Sequence, residues 1–255
     1  MPSPLLIAFG FLFGLTVGSF CNVCIHRIPR KESIVTPRSH CPHCGLLVRA
    51  VDNIPLISFL LLRGQCRSCG HRISWQYPVV EFLTGLLFLL AVFRFGVTWR
   101  TGLLLIFLAA LVIVTFIDFE HQIVPDVITL PGIVIGLAAS LLFRNPPFWN
   151  ALLGALIGGG IFYLVAVLSQ GGMGGGDIKL AAMIGAFLGW KQVLLTIFLG
   201  TLAGSVIAIF LLASGKKGRK DPMPFGPFLV LAAILVLFWE KEILAWYWYL
   251  LRGNL

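Results

Sequence analysis

The chain has 255 residues, of which 58% are hydrophobic and only 11% charged, with a net charge of +9. A soluble domain carries roughly 25% charge, so a soluble globular fold is excluded and lipid must be the solvent for most of the surface. The positive charge reads as membrane topology and attraction to anionic lipid, and no nucleic acid is expected as a partner.

The first apolar run covers about residues 4–23. It lacks a basic leader and a small-residue cleavage site, so it reads as a retained first helix and not as a signal peptide. Cys21 and Cys24 lie at its end, one turn apart on a common face, and no glycine turn follows them. They read as packed free thiols.

Residues 26–77 form the polar island of the chain. Cys41 and Cys44, then Cys66 and Cys69, make two CxxC hooks, each followed by a glycine, Gly45 and Gly70. Two residues between cysteines let both thiolates reach one ion, and glycine permits the positive φ that turns the backbone towards it. Two hooks give a closed four-thiolate site, structural zinc being the expected ion. His40, His43 and His71 stand beside the hooks as substitute ligands that a four-cysteine site does not need.

Further apolar segments are expected at 78–94, 101–117, 127–143, 148–168, 178–190, 192–213 and 225–246, eight spans in all, with 178–190 the weakest as a full crossing. The fold class is therefore an all-α polytopic membrane protein. Its expected divisions are a first helix at 1–25, a cytoplasmic zinc module at 26–77 and a transmembrane domain at 78–255. With the N-terminus outside, the inner loops hold thirteen lysines and arginines and the outer positions six, which puts the cysteine module and the basic tail after Gly215 in the cytoplasm.

Glu81 falls one turn inside the second span, as a binding group or the partner of a basic residue such as Arg72. Ionisable groups at membrane depth cost on the order of 3 kcal/mol and are functional suspects. Two more stretches hold them. One joins the third and fourth spans and carries Asp118, Glu120, His121 and Asp126; the other joins the fifth and sixth and carries Gly174, Gly176, Asp177 and Lys179. Both face the same side in this topology, so Asp118 and Asp177 can meet.

Two aspartates sharing a site cannot both ionise cheaply. The ionised one can deprotonate water while the protonated one donates to a scissile carbonyl. That is peptide hydrolysis without a covalent intermediate, and neither a serine–histidine pair nor an HExxH helix competes with it. Gly174 and Gly176 let the backbone approach an extended peptide or adopt positive φ. Asp126, after Pro125 at a helix start, is the rival for the first catalytic role. Lys179 either acts on Asp177 or snorkels to the surface.

The motifs GSFCN at 18–22, CPHC at 41–44, DNIP at 52–55, LRGQC at 62–66 and ISWQYP at 73–78 occur in order, with IDFEHQIVPD at 117–126 and GGGD at 174–177. Together they resemble the type IV prepilin peptidases, membrane aspartyl proteases of the GxGD type, over roughly residues 10–190. Cys21 and Cys24 depart from the family's usual aliphatic residues around Asn22. The resemblance implies prepilins or pseudopilins of type IV pili and type II secretion as substrates, cut on the cytoplasmic side of the bacterial inner membrane. It implies Asp118 and Asp177 as the catalytic pair, and a second activity that methylates the new N-terminus from S-adenosylmethionine. Asn22, Asn53 and Glu81 are candidates for methyl transfer or for a structural polar site. A proton-coupled transporter is the alternative, though no internal repeat supports it. A noncatalytic assembly factor would leave both aspartates without a purpose. Presenilin-like enzymes would need no cysteine module. Oligomeric state and the identity of the pilin are not written in the sequence.

Overall fold

The computed structural model describes residues 2–170, 173–215 and 224–252, with side chains to Tyr249. Gly171, Gly172 and the basic residues Lys216, Lys217, Arg219 and Lys220 lie outside the described residues. The described chain is helical: α1 (Pro4–Arg27), α2 (Ile57–Leu61), α3 (Gln76–Phe95), α4 (Trp99–His121), α5 (Asp126–Phe143), α6 (Phe148–Leu168), α7 (Gly175–Leu188), α8 (Trp190–Ala213) and α9 (Gly226–Arg252). Among the described residues there is no strand, only two isolated bridges in the 26–77 segment. Each of the eight expected apolar segments is a helix. Six of them, α1, α3, α4, α5, α6 and α8, are long and apolar enough to cross a bilayer. The protein is a multi-pass membrane protein.

Two compact units divide the chain, residues 1–117 and residues 118–255. In the first, α1 starts cleanly because Ser3 accepts from the Leu6 N–H and Pro4 takes a position where no amide donor is needed. Gly10, Gly14 and Gly18 recur every four residues along one face of α1. A Cβ on Gly14 would stand 2.7 Å from the Gly85 Cα, and one on Gly18 2.7 Å from the Glu81 Cα. Without a hydrophobic drive between helices in lipid, such close backbone contact is what holds a membrane pair together. Glu81 is therefore pinned at the α1–α3 seam.

In the second unit α7 is the central rod. Leu180, Ala181, Met183 and Ile184 are all fully buried, and α7 packs against α5, α6, α8 and α9. Its 14 residues span about 21 Å, less than the roughly 30 Å of a hydrocarbon core. It is short because Gly174 and Gly189 bound it; Gly189 has φ +95°, and its amide still reaches the Gly185 carbonyl. α9 is bent at Trp239, where φ and ψ are −130° and 22°, and the charged residues Glu240, Lys241 and Glu242 follow the bend.

Candidate active site and metal centre

Asp118 occupies the last turn of α4, where Gln122 in the left-handed region ends the helix by donating to the Asp118 carbonyl. Its side chain is buried, and Oδ2 has no hydrogen-bond partner among the described residues. The backbone N–H of Gly226, the first residue of α9, faces the carboxyl group. A Cβ on Gly226 would lie 2.6 Å from Oδ2. A buried acceptor left open in this way is rare in a finished core.

Asp177 sits in the first turn of α7, and its amide donates to the Gly174 carbonyl. The two carboxylates are near enough that the charge on Asp118 acts on Asp177. Two helix ends distant in sequence thus present a pair of carboxyl groups in one unit. Of the two roles expected of the glycines before Asp177, positive φ is not the one used. Neither Gly174 nor Gly176 has positive φ. Gly176 is needed because Val124 packs on it, where a Cβ would lie 2.7 Å from the Val124 Cβ. The space at Gly174 is open except for Asp177 Oδ2 at 3.7 Å.

Asp126 begins α5 and is engaged elsewhere. Lys179 Nζ lies 2.6 Å from its Oδ1 and 2.7 Å from its Oδ2. That pairing takes up both the rival aspartate and the lysine expected near Asp177. Glu120 and His121 are partly exposed and 3.7 Å apart at their nearest charged atoms.

In the first unit the four cysteines converge. Cys41, Cys44, Cys66 and Cys69 are free, and their Sγ atoms all lie within 4.8 Å of one another, Cys41 and Cys69 at 3.9 Å. Tetrahedral zinc with bonds of about 2.3 Å requires sulfur pairs roughly 3.8 Å apart, so the spacing suits a metal ion. The hooks are copies of one another. Gly45 and Gly70 have φ +71° and +69°, and their amides donate to the Cys41 and Cys66 carbonyls at 2.8 and 2.9 Å. The backbone amides of Cys69 and Ser68 draw the Cys66 thiol down to about 7, while desolvation and the neighbouring sulfurs push Cys69 up to about 11. His43 and His71 stack on each other with ring centroids 4.4 Å apart, and the cluster itself is made of sulfur alone. Arg67 forks onto Asp52 at 2.6 and 3.0 Å, holding its carboxyl below the usual carboxylate range and tying the turn at Ala50–Asn53 to the second hook.

Two profiles describing protein families match the chain: "Bacterial Peptidase A24 N-terminal domain" over residues 12–95, and "Type IV leader peptidase family" over residues 105–209. The chain is 43% identical over 223 residues to the prepilin leader peptidase/N-methyltransferase of Myxococcus xanthus, covering 85% of this chain and 67% of that protein. This chain belongs to the type IV leader peptidase family. Proteins of the same name from Stutzerimonas stutzeri and Bacillus subtilis are 38% and 36% identical, each alignment covering more than nine-tenths of both chains. No solved structure matches the chain.

The remaining polar candidates of this family member lie in the first unit. Asn22 is buried on α1 and donates through Nδ2 to the Tyr77 carbonyl at 3.1 Å. Glu81 is buried on α3; its Oε2 accepts the Leu56 N–H at 2.9 Å, and Ser19 reaches the same carboxyl group. Asn53 is exposed at the end of the 3-10 turn. Cys21 and Cys24 are buried and unbridged. Gly226 was not among the residues singled out from sequence. Its signal was the PFGP at 224–227 ahead of an apolar run, a turn followed by a helix start.

Proposed function

We propose that the chain is a membrane aspartic endopeptidase that removes the leader from type IV prepilins or pseudopilins, with Asp118 and Asp177 as the catalytic pair. The observation that carries the reading is the meeting of these two carboxyl groups, one with an open buried oxygen, in a chain whose relatives are named prepilin leader peptidases. Two adjacent carboxyls share a proton. The ionised one takes a proton from water, and that water attacks the scissile carbonyl. The protonated one donates to the oxygen as the tetrahedral intermediate forms. The open space at Gly174 leaves Asp177 accessible to an extended backbone, and the Asp126–Lys179 ion pair braces the turn that carries Asp177.

In this reading the bilayer is the bacterial inner membrane, the N-terminus is outside, and the cysteine module and both aspartates are at the cytoplasmic side, where a prepilin leader would lie. Residues 26–77 hold structural zinc through the four cysteines. An ion of that kind supplies on the order of 10 kcal/mol of folding free energy, which suits a module with few buried side chains. The N-methyltransferase activity, with S-adenosylmethionine as donor, rests on the relatives' names. The Asn22 and Glu81 contacts are those of a structural staple and do not by themselves fit a nucleoside, so no step is assigned through the donor.

The test is a cleavage assay on a prepilin from the same bacterium, wild type against Asp177→Asn, with product masses recorded. Leader loss with wild type alone is the expected result, and an added methyl mass that depends on S-adenosylmethionine marks the second activity. An intact prepilin with folded, metal-loaded wild type overturns the assignment.

A further inference from the structure

α2 is a single short helix between two membrane spans, and it leaves three aliphatic side chains exposed. Ile57, Leu60 and Leu61 share one face by their spacing. Leu60 is 72% exposed and Leu61 77%. Trp75, the residue just before α3, is 72% exposed, and Ile54 is exposed as well. Within the first unit the leucine face of α2 is left open.

Its depth is fixed by two contacts within the first unit. The amide of Leu56, which begins α2, donates to Glu81 Oε2. Glu81 is the sixth residue of α3, so α2 starts beside a point about 7 Å along that span. The opposite face of α2 meets the start of the span, with the Phe59 and Trp75 rings 5.0 Å apart. The exposed leucines therefore stand level with the first turns of a helix that crosses the membrane. Tryptophan at the mouth of a span is the usual anchor at the headgroup level.

Charge points the same way. Residues 26–77 hold eight lysines and arginines against two acidic side chains, Glu32 and Asp52. Asp52 is already paired with Arg67. Arg63, two residues past the end of α2, is exposed. An excess of basic residues in a segment that carries an exposed apolar face suits the interface of an anionic bilayer.

We propose that α2 forms a lipid-interface foot, by which the cysteine module lies on the bilayer, with Leu60 and Leu61 inserted at the boundary of headgroups and acyl chains. Glu81 is the staple that sets the foot's depth. The foot ties the metal module to the membrane surface at the place where α3 enters it.

The full-length, metal-loaded protein is reconstituted in vesicles of phosphatidylethanolamine and phosphatidylglycerol, with the photoreactive residue p-benzoylphenylalanine replacing Leu61, and in a second variant Leu60. After irradiation, mass spectrometry counts adducts. Phospholipid adducts exceeding protein adducts by about tenfold at either position are expected for a side chain in the interface. Adducts mainly to a second copy of the chain or to added prepilin, or no phospholipid adduct at either position while the metal is retained, overturn the proposal. The outcome is independent of cleavage activity, so it does not depend on the catalytic reading.

Discussion

Lys179 and Asp126 form a two-pronged ion pair, 2.6 and 2.7 Å, joining the fifth residue of α7 to the first residue of α5. Asp177 is two residues from one partner, and Val124, packed on Gly176, is two residues from the other. The pair closes the frame in which Asp177 is held.

The pair is half exposed, so its contribution to stability should be small, about 0–1 kcal/mol. We predict that Lys179→Met or Asp126→Asn lowers kcat for prepilin cleavage by about tenfold, a cost of about 1.4 kcal/mol in transition-state positioning, with the melting temperature nearly unchanged. Steady-state cleavage and a thermal melt in detergent check this. Complete loss of cleavage with intact folding in Asp126→Asn would return Asp126 to the catalytic role.

The catalytic aspartates should behave differently. Asp118→Asn and Asp177→Asn each remove an acid–base group and should abolish cleavage, a loss of at least about 1000-fold, while the chain still inserts. Residual cleavage within tenfold of wild type in either variant would sink the assignment.

Gly226→Ala is the sharpest test of the geometry around Asp118. The added Cβ would fall 2.6 Å from Oδ2, well inside contact distance, and either the carboxyl group or the start of α9 must shift. A misplacement of about 1 Å costs roughly 100-fold in rate. The expected outcome is that loss in kcat with the protein still folded. Unchanged kinetics would mean that the carboxyl group adjusts freely and that Gly226 has no positioning role.

Much of this site was legible before any coordinates. The CxxC hooks with their glycines, and the two acidic links, depend on spacing and on the cost of charge near lipid, both local properties of a sequence. Asp118 and Asp177 could be paired because both loops fall on one side of a counted set of spans. Gly226 could not be found in that way, since its importance lies in a contact 108 positions from Asp118 (226 less 118) that no local pattern encodes. The partner of Lys179 was also open, because side-chain reach permits either neighbour until the α5–α7 packing is known. Gly176 stands out in the sequence, but steric room for Val124 and not backbone freedom explains it.

For the cysteine module, one metal equivalent per chain is expected by elemental analysis of purified protein. Cys41→Ser or Cys66→Ser should bring it close to none. Because the fold of the module leans on the ion, the same variants should become sensitive to protease between the two hooks, where wild type resists. Metal-free wild-type protein with a protected module would refute the structural role.

α7 is the rod that carries Asp177. α6 and α7 touch through Gly154 and Gly185, and a Cβ on either residue would collide with the backbone of the other. In lipid, helices associate by such close packing, because burial from water gives no drive between them. A side chain at this seam must therefore push α7 off α6. Gly185→Leu should cost more than Asp177→Asn in folded yield, since it displaces the whole helix and not one carboxyl group. Size-exclusion of the detergent-solubilised protein measures the yield, and cleavage by the folded fraction measures the effect on the site. Normal yield and normal cleavage together would show that the seam has slack, and that α7 is held by α5, α8 and α9 instead.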